Sequence, residues 1–300
     1  MPITSEKFET ARPRLLSVAH RMLGSAHDAE DAVQAAWVRA ATARSGPEIE
    51  NPAAWLTTVT ARICLDELRA RHRRKEAPLL ADAIPAEQLA VDEEMLRKED
   101  VSRALMVLLN RLTPPQRIAY VLHDLFAVPF DRIAPVLGVT VPGAKKHASR
   151  ARRRLALPQE SPARTDGPER AGAPIPTDRP DQEIVEAFLT AARTGDTRTM
   201  LRLLAPDSVR DADAALLPLG GRTVVTGADA IAAETVRFRH RIEAACRMVV
   251  DGRPVHLIAP GGHPFATIDI ATADRKVTRI TLRPVRADAR FAPAVPATTA

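Results

Sequence analysis

Residues 158–180 decide what this chain can become. They set Pro158, Pro162, Pro168, Pro174, Pro176 and Pro180 against one large aliphatic side chain, Ile175. So little apolar surface cannot offset the entropy of ordering the backbone, which predicts a flexible linker. The chain on either side must then bury a core of its own. With 300 residues in all, there is room for two or three domains of ordinary size.

The first half reads as helical. Residues 8–75 and 99–157 carry apolar side chains at helical spacing, and residues 76–98 between them read as an acidic connector containing Pro78 and Pro85. Leu15, Leu16, Ala19 and Leu23 form one stripe, Val33, Trp37 and Ala40 a second, and Ile118, Val121, Leu122 and Leu125 a third. Such stripes need burial against neighbouring helices. Helix starts are marked by Ser25 before His27 and Asp28, by Asn51-Pro52, and by Thr113-Pro114-Pro115-Gln116, which fits a capping box. Beyond the linker, residues 181–204 look helical, and short β-like runs extend from Cys246 to Val285. Residues 286–300 read as a disordered tail. Cys64 and Cys246 stand far apart and outside any metal-ligand spacing, as expected of buried, reduced thiols in a cytoplasmic protein. The start lacks the basic and apolar regions of a signal peptide, and no apolar run approaches the length of a membrane span.

The net charge of +6 is gathered into clusters. Arg69, Arg71, His72, Arg73, Arg74 and Lys75 end the helix that begins near Pro52, with Arg62 two turns earlier. These cations could simply favour the helix's negative C-terminal pole, or meet an anion such as a phosphate backbone. Lys145, Lys146, His147, Arg150, Arg152, Arg153 and Arg154 form the second cluster. It follows a stretch laid out as a helix-turn-helix. Ile133, Ala134 and Leu137 point inward on a short helix, Gly138 supplies a tight turn, and Thr140 caps the next helix. That helix presents Lys145, Lys146, Ser149, Arg150, Arg152 and Arg153, the long donors a major-groove reader needs.

Three blocks in order resemble the extracytoplasmic-function sigma factors. Arg14-Leu15-Leu16 through Ser25, followed by Asp28-Ala29-Glu30-Asp31-Ala32-Val33-Gln34, is similar to the start of sigma region 2. Asn51-Pro52-Ala53-Ala54-Trp55-Leu56, leading to Leu65-Asp66-Glu67-Leu68-Arg69, is similar to its end. Leu112-Thr113-Pro114-Pro115-Gln116-Arg117 through Leu155 is similar to region 4. The resemblance implies a transcription initiation subunit whose partners are core RNA polymerase, through its β′ and β subunits, and promoter DNA. On that reading Asp28, Glu30, Asp31, Gln34 and Trp37 dock on the polymerase. The loop 44–51 with Asn51, Trp55, Arg62, Arg69, Arg71 and Arg73 reads the minus-ten element. Thr140, Lys145, Lys146, Ser149, Arg150, Arg152 and Arg153 read the minus-thirty-five element. Trp55 is open to base stacking or to core packing. Pro135 interrupts the first helix of the motif and predicts a kink or a late start. Gly143, Ala144 and Ala148 stand where the family has larger residues, which thins the recognition helix's core contact.

Residues 181–285 resemble, more weakly, the cone-shaped SnoaL-like α+β fold. The expected fold class is therefore two all-α sigma domains plus a C-terminal α+β domain that regulates them, by packing against them or by binding a ligand. Asp251-Gly252 between β-formers predicts a hairpin turn. Catalytic members of that fold line a cavity with acid–base residues; the candidates here are Asp207, Asp211, Asp213, His256 and Asp269. They also read as ordinary strand and loop residues, and the expectation is that the chain is not an enzyme and needs no cofactor or metal. A stand-alone DNA-binding regulator would leave the acidic block at 28–34 and the Asn51–Leu56 run unexplained.

Overall fold

The computed structural model describes residues 3–42, 51–74, 84–98, 103–156, 181–218 and 221–294. The chain divides into two compact units, one of residues 1–157 with Gly261–His263 and one of the remaining C-terminal residues. The linker expected at 158–180 lies outside the described residues, as does the loop expected at 44–51 except for Asn51.

In the first unit α1 (Ser5–Leu23), α2 (Ala26–Thr42) and α3 (Pro52–Arg73) pack as a bundle around Leu15, Met22, Leu56 and Leu65. Their ends follow local chemistry. Asn51 Oδ1 accepts from Ala54 N at 3.0 Å and starts α3, and Gly24 takes the left-handed φ of 79° that stops α1. The connector expected at 76–98 is corrected in part, because its second half is a helix, α4 (Ala86–Lys98). This helix turns a charged residue inward. Asp92 is fully buried and accepts from Ala26 N at 2.7 Å, while Gln88 donates to Ser25 Oγ at 2.9 Å. Asp92 thereby satisfies one of the N-terminal donors of α2 that a helix leaves unpaired.

The unit continues with α5 (Arg103–Leu109), α6 (Pro114–Tyr120), a π-helical turn at Val121–Leu125, α7 (Phe130–Leu137) and α8 (Val141–Ala156). Gln116 Oε1 accepts from Thr113 N at 3.2 Å, as the capping-box reading requires. Gly138 turns α7 into α8 at φ 68°, and Thr140 Oγ1 accepts from Gly143 N at 3.3 Å. α7 begins at Phe130 and runs through Pro135 to Leu137, so the expected late start is not found. Ala144, Ala148 and Ala151 make a fully buried stripe on α8, which packs against α6 and α7. Cys64 lies in this core, where burial pushes its thiol up to about 12.

The second unit opens with α9 (Gln182–Thr194) and α10 (Thr197–Leu203). Then come β1 (Leu204–Ala212), β2 (Val224–Thr226), α11 (Ala228–Arg237), α12 (Arg239–Glu243), β3 (Ala245–Val250), β4 (Arg253–Ile258), β5 (Ala266–Ala273), β6 (Lys276–Pro284) and β7 (Phe291–Pro293). The strands form one sheet in the order β2-β1-β6-β5-β4-β3-β7, with β1 and β6 parallel and the other neighbours antiparallel. Phe188, Leu189, Met200 and Ile268 are among the side chains that fill the core between helices and sheet. Asp251 and Gly252 have φ of 50° and 83°, the paired left-handed residues of a two-residue hairpin.

Three sequence expectations are corrected here. Strands begin at Leu204 rather than Cys246, since the polar run after Asp207 is β1. The tail expected to be disordered from 286 includes β7, whose Phe291 and Pro293 pair with Val250 and Met248 at the sheet edge. Residues 295–300 lie outside the described residues. Cys246 is half-buried rather than buried.

Candidate polymerase and DNA interfaces

The α2 residues expected to meet polymerase separate by environment. Glu30, Asp31 and Gln34 are exposed at helical spacing and share a face. Asp31 is 3.7 Å from His27 one turn earlier. Asp28 is turned instead to Arg71, with 2.7 Å between Oδ2 and Nη2. Trp37 is half-buried with its ring 4.7 Å from that of Phe8, so it packs the bundle.

A similar sorting occurs on α3. Asn51 caps the helix and Trp55 packs partly into the core. Arg71 donates to Asp28, to Glu67 Oε1 at 2.9 Å and to Leu23 O at 3.4 Å. Burial works against its charge, yet the hydrogen bonds it donates to both carboxylates raise its pKa. The first expected polymerase contact and one expected minus-ten contact thus pair with each other at the half-buried edge of the bundle. Arg62 and Arg69 reach the carbonyls of Pro135 and Leu137, each at 3.4 Å. Arg73 is exposed.

Sequence reasoning gave Arg117 no role of its own, and the structure gives it a central one. Its guanidinium is buried, donates from Nε to Arg21 O at 2.9 Å and from Nη1 to Asn110 Oδ1 at 2.7 Å. Burial pulls its pKa down to about 9, and the nearby Arg71 pulls the same way. It ties α6 to the end of α1. Arg14 adds a bond to Phe126 O at 3.1 Å. No local pattern marks such residues, because their partners are distant in sequence.

On α8 the residues expected to read DNA lie together on one side. Lys145, Lys146, Ser149, Arg150, Arg152 and Arg153 are all exposed opposite the alanine stripe. Arg152 is also held by Asp124, at 2.6 Å from Nε to Oδ1, which anchors the helix while withdrawing part of one charge. His147 is half-buried. Burial, with Arg150 and Lys146 beside it, lowers its pKa. The face therefore offers cations and a hydroxyl in two adjacent rows, 145–149–152 and 146–150–153, suited to base edges and phosphates.

In the C-terminal unit the acid–base candidates do not converge. Asp211 pairs with Arg283 at 2.7 Å, Asp213 caps a short turn through Ala215 N at 2.9 Å, and Asp269 lies 3.2 Å from Arg253. His256 lies 3.3 Å from Glu186. None of them, nor Asp207, lines the unit's apolar cavity.

Residues 8–74 match the family Sigma-70 region 2, and residues 102–155 match Sigma-70, region 4. The ECF RNA polymerase sigma factor SigJ of Mycobacterium tuberculosis is 39% identical over 211 residues, covering 67% of this chain and 62% of that protein. The probable ECF RNA polymerase sigma factor SigI of the same organism is 29% identical over 305 residues, covering 95% of this chain and 96% of that one. The crystal structure of M. tuberculosis SigJ superposes with 32% identity and a TM-score of 0.42, covering 94% of this chain and 96% of that one. The chain belongs to the extracytoplasmic-function sigma factors, which are transcription initiation factors and not enzymes.

Proposed function

We propose that this protein binds core RNA polymerase in the cytoplasm and directs it to start transcription at particular promoters. In this reading the exposed face of Glu30, Asp31 and Gln34 meets a basic surface of the β′ subunit, with further contacts to β. α8 reads the minus-thirty-five element as duplex, and α3 with the loop before it reads the minus-ten element. The C-terminal unit modulates both, by packing on the sigma regions or by binding a ligand. The observation that carries the reading is the division of charge within one unit. An acidic and polar face on α2 stands apart from a cationic face on α8, and the buried stripes behind both turn these side chains to solvent.

The test of the polymerase contact is a variant carrying Glu30→Ala, Asp31→Ala and Gln34→Ala together. These exposed changes leave the fold intact, so copurification with core enzyme is lost while thermal unfolding is unchanged. Retention of copurification would move the contact elsewhere. Removing residues 181–300 changes transcript yield if the C-terminal unit regulates.

A further inference from the structure

The C-terminal unit contains an apolar cavity, partly open to solvent, of about 90 Å³ whose walls include Leu216, Ile258, Ile268 and Leu282. Three charged side chains border it: Arg210, Glu234 and Arg241. The first two consume each other. Arg210 is buried and donates from Nε to Glu234 Oε2 at 2.7 Å and from Nη2 to Glu234 Oε1. Its Nη1 donates to Arg222 O at 2.9 Å and Thr223 O at 3.0 Å. That pair is closed and electrically neutral.

Arg241 is different. Its Nη1 donates to one backbone carbonyl, Leu216 O, at 2.8 Å. Its guanidinium lies 5.4 Å from the ring centre of Phe238 and 5.3 Å from that of Phe265. Among the described residues no carboxylate pairs with it, and the cavity's own acid, Glu234, is already taken by Arg210. Burial lowers its pKa. A guanidinium has five donor hydrogens arranged as a fork, so most of this one's capacity is unspent. The cavity therefore carries one uncompensated positive charge at the edge of an apolar space.

We propose that this cavity binds a short-chain carboxylate, its hydrocarbon tail among Leu216, Ile258, Ile268 and Leu282 and its carboxylate on the fork of Arg241. An apolar cavity of about 150 Å³ accepts benzene, so the smaller space here suits an acid of about four to six carbons. The Phe238 and Phe265 rings lie beside the guanidinium, and a bidentate carboxylate completes its donors.

Isothermal titration of the full-length protein with pentanoate tests this, with pentanamide as the neutral isostere and acetate and decanoate as length controls. Pentanoate binds at one site, and pentanamide binds roughly tenfold or more weakly, because it lacks the charge-assisted pair. Acetate and decanoate both bind more weakly than pentanoate. Arg241→Gln brings pentanoate down to the level of the amide, Arg241→Lys keeps part of the difference, and Leu216→Trp fills the space and removes binding. Equal affinity for acid and amide overturns the proposal, as does no binding of pentanoate at all. The wild-type comparison decides even if a variant fails to fold. The titration reads binding alone, so its outcome does not depend on whether the chain initiates transcription.

Discussion

His20 shows how burial converts one side chain into a pH response. It is fully buried on α1, and neither ring nitrogen has a hydrogen-bond partner among the described residues. Burial lowers its pKa from 6.5 to about 4, with Asp92 opposing and Arg117 and Arg21 assisting. The folded imidazole is neutral where the unfolded one binds a proton. Stability is therefore full above the unfolded value and is lost as pH falls from 6.5 towards 4. The whole window corresponds to about 3 kcal/mol, and His20→Gln flattens this part of the profile in denaturant titrations. Two arginines respond differently. Arg71→Ala removes three internal contacts and leaves Asp28 without its partner, so unfolding free energy falls by about 2–4 kcal/mol. Arg153→Ala leaves unfolding unchanged, weakens binding to duplex DNA across sequences, and lowers the salt slope of that binding by about 1. The sequence distinguished neither fate. Asn51 and Thr140 were legible because a cap bonds within its own turn. Arg117 was not, since the carbonyl it grips is 96 positions away.

Among the elements, α8 lies where the helix-turn-helix spacing predicts it, with Thr140 before it, while its alanines in the sequence predict a thin core contact. The structure explains the alanines. Ala144, Ala148 and Ala151 are fully buried where α8 packs on α6 and α7. A larger side chain there overpacks the contact, and Ala148→Leu costs about 1–3 kcal/mol in urea unfolding despite adding apolar surface. A gain in stability from Ala148→Leu would mean the contact is loose. The elements missed in the sequence share a physical cause. α4 turns Asp92 inward, so no clean apolar stripe marks it. β1 buries Ser208 and Arg210, which hides its alternation behind polar residues. β7 contains Pro293 and lies at an edge, where proline is tolerated, yet the residue type argues against a strand when read alone. By contrast β5 and β6 alternate apolar and polar side chains and were plain from the start.

For the whole molecule, regions 2 and 4 belong to one unit, joined by Arg14, Arg62, Arg69 and Arg117. The two promoter elements are by name about 25 base pairs apart, roughly 85 Å at about 3.4 Å per pair. Helices in hydrogen-bonding contact cannot span that, so reading both elements at once requires the regions to separate. Fluorophores on Asp66→Cys and Asp131→Cys, with Cys246→Ala and the buried Cys64 left in place, report the change. Energy transfer falls when the protein joins core polymerase and promoter, and constant transfer would mean the two elements are not read together. The order of regions 2 and 4 and the exposed cationic face of α8 were legible in the sequence because both rest on local pattern. The packing of region 2 on region 4 was not, because it runs through side chains bonded to backbone carbonyls. Run-off transcription from a genomic promoter library, with core RNA polymerase and the full chain as the added factor, reaches the central claim most directly. Discrete transcripts that share a start site and upstream sequence, absent with core enzyme alone, are the predicted result; no transcript beyond that background would contradict it.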